Sequence, residues 1–300
     1  MKKYIESINN HTNETFIINP NTGEIMDFSN QTIYVQTEEE RKRAKEFFTK
    51  KEINTTFKNY GKFIWNVYSI SQTLFPNLSG SYITRLIFLS TYINYQGYLS
   101  DAKNNPLSKN EVKTLLKVSE SEFKRFYNKL VSEKIIYHNE GKLYINDNIF
   151  KKGSLSPVKL LELSQDEKYV TRIYISAIRK IYDKATIKSH KTLSYLFQIM
   201  PYVNRDYNIV CFNPLEKDIE KIKRMSLGEF ADIIKYDRSH IARLCNTLFA
   251  PTFTIKGKEL TAMRYVLDKS LDKSTYSMFI NPRVYYAGTK WKEVEILGQF

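Results

Sequence analysis

Two short stretches of the chain carry side chains that could hydrogen-bond base edges and phosphates from a single helical face. Wound at 3.6 residues per turn, Ser121, Lys124, Arg125, Asn128 and Lys129 fall opposite the apolar Phe123, Phe126 and Leu130. Arg238, Ser239, His240, Arg243, Asn246 and Thr247 fall opposite Ile241, Leu244 and Leu248 in the same way. An arginine fork matches guanine O6 and N7, and an asparagine amide matches adenine N6 and N7. Lysine suits phosphate, which positions a protein without reading sequence. Neither set contains an acid. Lys142, Lys256 and Lys258 flank turn glycines Gly141 and Gly257, where hairpin tips could reach a backbone or a minor groove.

Enzyme chemistry has far less to work with. No G-x-x-x-x-G-K-[ST] run is present to cradle a nucleotide phosphate. His11, His138, His190 and His240 are scattered, with no H-x-H or H-E-x-x-H pair, and no C-x-x-C occurs. The expectation is therefore a protein that is not an enzyme and has no cofactor and no metal. Cys211 and Cys245 sit in apolar patterns and read as reduced core residues of a cytoplasmic protein.

The elements that must position these residues are legible as two similar series. In the first, an apolar helix over 82–95 leads through a polar loop, 99–106, to Ser108, an N-cap with Glu111 as its capping-box partner. A helix with Val112, Leu115 and Leu116 turns at Lys117-Val118, and Ser119 caps the next helix. Ile135–Tyr137 and Leu143–Ile145 then form a hairpin about Asn139–Lys142. In the second, an apolar helix over 190–204 and a loop over 211–225 lead to the capping box Ser226/Glu229. Phe230, Ile233 and Ile234 face inward, Tyr236 makes the turn, Asp237 caps the next helix and Pro251 ends it. Phe253–Ile255, the Lys256-Gly257-Lys258 turn and a following strand read as the second hairpin.

This predicts a mainly α protein with small β wings, an α+β class. It would carry tandem winged helix-turn-helix modules after an N-terminal β-hairpin and helix. The hairpin centres on Asn21-Thr22-Gly23, and the charged helix runs over 37–50. Domain boundaries follow: 1–60 for hairpin and helix, 61–153 for the first winged helix, 154–168 for a linker, 169–300 for the second. The last begins with an amphipathic helix over 169–182. The run from Leu143 through Ile145-Asn146 to Gly153 parallels Met278 through Ile280-Asn281 to Gly288, a textual sign of duplication. Compared by content alone, the two outward faces differ, so they would read different half-sites.

Charge points to the same partner. The 300-residue chain is 42% hydrophobic, enough to build cores, and carries 46 Lys and Arg against 32 Asp and Glu, a net +14. Residues 1–60 are balanced at 9 and 9, 61–153 carry 13 basic and 7 acidic side chains, and 154–300 carry 24 and 16. The excess sits where the two series sit, which suits a polyanion such as double-stranded DNA. The N-terminus has no apolar core of a signal peptide, and no run approaches the length of a membrane span.

Thr22-Gly23-Glu24-Ile25, then Phe63-Ile64-Trp65-Asn66-Val67-Tyr68, then a winged helix ending Ile145-Asn146 to Lys152-Gly153, resembles the replication initiator proteins of small Firmicute plasmids and related phage proteins. The first copy has Asn146-Asp147 where that family usually has Asn-Pro, and the second has Asn281-Pro282. The second half is similar to helix-turn-helix proteins of phages and conjugative elements. The resemblance implies a DNA-binding protein of a mobile element that binds origin repeats and recruits host replication proteins. A transcriptional regulator binding promoter operators with host transcription proteins is the alternative, and a partitioning or protein-interaction module the third.

Overall fold

A computed structural model describes residues 5–8, 15–18, 25–26, 60–67, 73–153, 170–268, 275–288, 291–297 and 300. The described residues form a mixed α+β structure with eight α-helices and small antiparallel sheets. The chain divides into two units, Met1–Phe48 and Thr49–Phe300. In the first, β1 (Ile5–Ile8), β2 (Thr15–Ile18) and β3 (Ile25–Met26) make an antiparallel sheet in that order. The β2–β3 pairing, Ile17 opposite Met26 and Ile18 opposite Ile25, is the hairpin expected around Gly23. Strand β1, on the other edge of β2, was not anticipated. The helix expected at 37–50 lies outside the described residues.

A four-stranded antiparallel sheet organises the second unit, in the order β7–β4–β8–β13. Its strands are β4 (Phe63–Val67), β7 (Phe150–Lys151), β8 (Val170–Tyr174) and β13 (Tyr285–Tyr286). The expected helix over 169–182 therefore begins as a strand. Val170, Thr171, Ile173 and Tyr174 are β-branched or aromatic, and pairing with β4 outweighs any local helical pattern. Helix α4 (Ile175–Lys184) starts only after them. Sequence reading drew a boundary at 154–168, which lies outside the described residues, yet the strands on either side of it, β7 and β8, belong to one sheet.

The sheet reads the same from either end. Trp65 lies opposite Arg172 at its centre; Trp65 also pairs with Lys151, and Arg172 with Tyr286. Each central residue reaches the same place in its own half. The Trp65 indole N–H donates to the Gly153 carbonyl at 2.8 Å, and the buried Arg172 guanidinium donates to the Gly288 carbonyl.

From this frame each half builds the same series. The first has α1 (Gly80–Ser90), α2 (Lys109–Leu116), α3 (Glu120–Ser132) and the hairpin β5 (Ile136–Asn139) with β6 (Lys142–Ile145). The second has α5 (His190–Gln198), α6 (Leu227–Ile233), α7 (Ile241–Phe249) and the hairpin β11 (Met263–Asp268) with β12 (Thr275–Ile280). Buried or half-buried asparagines mark equivalent corners. Asn94 and Asn204 each accept two backbone N–H groups in the loop after the apolar helix. Asn146 and Asn281 each donate to a carbonyl, Lys134 and Thr261, and accept from the N–H two residues on.

The second hairpin differs from its expected position. Thr252–Ile255 (β9) and Lys258–Thr261 (β10) do pair about Lys256-Gly257. The hairpin in the place of β5–β6, however, is β11–β12: Ile136 opposes Ile145 as Met263 opposes Ile280. β9–β10 is an insertion between α7 and that hairpin. It is moored to α4 by Lys184, which pairs with Glu259 at 2.6 Å and donates to Thr252 Oγ1, and by Lys180 on the Thr254 carbonyl.

The halves also meet through α1 and α5. A Cβ at Gly80 would lie 2.4 Å from Ser194 Oγ and 3.0 Å from the Lys191 carbonyl, so only glycine allows this approach. Thr84 donates to the His190 carbonyl at 2.8 Å. Arg85, fully buried, donates from Nη2 to Glu122 at 2.6 Å and from Nε to His190 Nδ1 at 3.4 Å. His190 must then be neutral with its proton on Nε2. Burial first, and Arg85 second, push its pKa down to about 4. Tyr182 stacks between Phe88 and His190 and donates to the Leu116 carbonyl.

Gly80→Ala should destabilise the protein by about 1–3 kcal/mol, read as a lower denaturant midpoint, because the α1–α5 approach must open. A midpoint equal to wild type would show that this approach is not close. The His190 environment sets a pH window. Its folded pKa lies below the ordinary value of 6.5, so the unfolded chain binds the proton first. Stability should fall as pH drops from about 6.5 to about 4, by up to about 3 kcal/mol. In His190→Asn that part of the slope should vanish.

Candidate nucleic-acid interface

Local chemistry fixes α2 and α3 with little help. Ser108 Oγ accepts from the Glu111 N–H while the Glu111 carboxylate accepts from the Ser108 N–H, a closed capping box of about 1 kcal/mol. Lys117 ends α2 in the left-handed region at φ 56°. Ser119 then caps α3. The second copy repeats each step: the Ser226/Glu229 box, Lys235 at φ 54°, and Asp237 capping through the Ser239 N–H. That backbone hydrogen bond holds the Asp237 carboxyl below its usual range. Val112, Leu116, Phe123, Phe126 and Leu130 bury one face of the first pair of helices; Leu227, Phe230, Leu244 and Leu248 do so in the second.

The opposite faces are turned to solvent. Ser121, Lys124, Arg125 and Asn128 are exposed along α3, and Lys124, Arg125 and Asn128 have no hydrogen-bond or ion-pair partner among the described residues. Lys129 is half-buried and paired with Glu133 at 2.6 Å, so it must leave that partner to hold a phosphate. On the second copy Ser239, His240, Arg243 and Asn246 are exposed. Thr247 is half-buried, and its hydroxyl donates to the Arg243 carbonyl at 2.7 Å.

Arg238 is placed differently from the rest. Its guanidinium binds both oxygens of Asp232 and holds that carboxyl below its usual range. It clamps α6 to the start of the following helix. In the first copy Lys113 and Glu120, at 2.5 Å, clamp the same two elements with the signs reversed. Arg238 thus has a partner inside the turn, which sequence reading of an outward arginine did not reveal.

Hairpin cations divide in the same way. Lys142, at the start of β6, lies with Nζ 5.0 Å from the centre of the Tyr98 ring. Lys256 and Lys258 are exposed on the β9–β10 insertion, away from the hairpin that matches β5–β6. Sequence reading missed Lys109, whose Nζ sits 4.6 Å from the centre of the Tyr127 ring, and the Tyr127 hydroxyl that meets His138 Nε2 at 2.5 Å. Lys109 opens α2 beside the capping Ser108, and only the packing of α2 against α3 brings it to Tyr127. It also missed a groove of about 620 Å³ along α7, walled by Arg243, Asn246 and Thr247 on one side and by Lys184, Ser189 and Thr192 on the other.

Cys211 and His190 have structural places. Cys211 is buried and its thiol is pushed up to about 12 by burial. His11 lies outside the described residues, and His190 belongs to the contact between the halves. Among the described residues no helix is long and apolar enough to cross a membrane. No family model, curated protein or solved structure matches this chain.

Proposed function

We propose that this chain is a sequence-specific double-stranded DNA-binding protein built on two winged helix-turn-helix copies. One observation carries the reading. Each copy of a duplicated helix, turn, helix and hairpin unit exposes an unpartnered arginine and asparagine on its second helix, with no acid along that stripe. A helix is narrow enough to enter a major groove, where these side chains match guanine and adenine edges. The net charge of +14 supplies the sequence-independent attraction. Lys124 is the unpaired phosphate holder of the first copy, and Lys129 joins it on release from Glu133.

The resemblance of the first half to plasmid initiators supports an origin as the target, with host replication proteins as partners. Footprinting on the DNA that surrounds the gene tests this. Protection of repeated elements together with replication of an origin plasmid in trans supports initiation. Protection confined to a promoter, with loss of transcription and no replication, replaces it with the regulator.

If each copy neutralises about four phosphates, the logarithm of the binding constant should fall with the logarithm of salt at a slope near −7. A slope near zero contradicts the proposal. Lys124→Ala should weaken cognate and random DNA alike and reduce that slope by about one, without changing sequence preference.

A further inference from the structure

The turns and core of the two copies set a register that the chain order hides. From Leu107 to Leu130 the first copy runs in step with 225–248 without a gap. The capping boxes, the left-handed Lys117 and Lys235, the caps Ser119 and Asp237, and the buried Phe126/Leu244 and Leu130/Leu248 all coincide. In this register seven positions are identical. Four have a reason in the fold: the serine and glutamate of the capping box, the lysine of the turn, and the buried Leu130/Leu248. The other three are Ser121/Ser239, Arg125/Arg243 and Asn128/Asn246.

The two serines lie against the capping residues Ser119 and Asp237; the arginines and asparagines need another reason. Those four side chains are exposed, and none has a side-chain hydrogen bond or ion pair among the described residues. Their spacing of three residues puts them on one stripe of α3 and of α7, while Ser239 lies in the 3-10 turn Arg238–His240 that precedes α7. Neighbouring positions have diverged: Glu120 against Arg238, Glu122 against His240, Lys124 against Ala242, Lys129 against Thr247. Stability would not keep an arginine and an asparagine on a solvated stripe while its neighbours changed sign and size.

We infer that the two helices read the same short base sequence, in opposite orientations on the DNA. The inference rests on the DNA-binding reading above. A bidentate arginine on guanine and a bidentate asparagine on adenine, one helical turn apart, define a shared core of guanine and adenine. The orientation comes from the sheet. The order β7–β4–β8–β13 with its antiparallel centre at Trp65 and Arg172 relates the halves by a local twofold. Readers related by a twofold meet an inverted repeat. Comparison by content predicted unlike half-sites; comparison by register predicts like ones, differing where Lys124 faces Ala242 and Glu122 faces His240.

Selection from a pool of random duplexes with the full chain tests this. The expected result is one core of about three or four base pairs, recovered twice per site in inverted orientation at a fixed spacing. Arg125→Ala and Arg243→Ala, both at exposed positions, should each relax the same base of the core, one in each arm, by roughly tenfold or more. Unchanged melting temperatures would show that both variants fold. Two unrelated cores, a direct repeat or a single core would overturn the inference while leaving DNA binding intact. Retention of no DNA, or of DNA without any enriched sequence, would remove the DNA-binding reading and the inference with it.

Discussion

Strands β4 and β8 pair antiparallel over five residues each, and the rest of the second unit depends on that pairing. It joins segments more than a hundred residues apart and places Trp65 and Arg172 side by side at the centre. Each then ties back to a glycine carbonyl beyond its own half's hairpin, Gly153 or Gly288. The donor types differ and the acceptor is equivalent. An indole N–H and a guanidinium satisfy the same corner because each reaches across the sheet to the equivalent glycine carbonyl of its own half. The sheet thus fixes where both helical series begin and end.

The second constraint is the buried contact of α1 with α5. Arg85 bridges His190 of one half and Glu122 in the first turn of α3 in the other. A fully buried guanidinium needs such partners, since the cost of desolvating it is several kcal/mol. The outward stripe of α3 is therefore anchored at its N-terminal end by an ion pair that also seals the halves. The cations near the surface sort by the same logic. Arg238, Lys113 and Lys184 have carboxylate partners and hold the protein together, whereas Lys124, Arg125 and Arg243 do not and face outward.

Local features were legible in the sequence, and long-range ones were not. Both capping boxes, both turns and the apolar faces of α3 and α7 follow from spacing over four to eight residues. The shared sheet escaped because Val170–Tyr174 runs straight into the helix Ile175–Lys184. Nothing within ten residues says that it pairs with Phe63–Val67. The second hairpin was drawn at Lys256-Gly257 because that turn is a strong local signal, whereas 269–274, between β11 and β12, contains no glycine. The identity of Ser121, Arg125 and Asn128 with Ser239, Arg243 and Asn246 is in the sequence once the two capping boxes are superposed, because 107–130 and 225–248 run without a gap; comparing the faces by content rather than by register overlooks it. The common hydrogen bonds of Asn94 and Asn204 and of the two capping boxes, with the left-handed Lys117 and Lys235, show the same register in the fold.

The central claim is that both copies, held by one sheet, engage one duplex together. Hydroxyl-radical footprinting of the full chain on a short duplex carrying its selected site tests it most directly. Two protected tracts appearing at the same protein concentration, with one chain bound per duplex, is the result this account predicts. A single tract, or two tracts that fill at different concentrations, would contradict it.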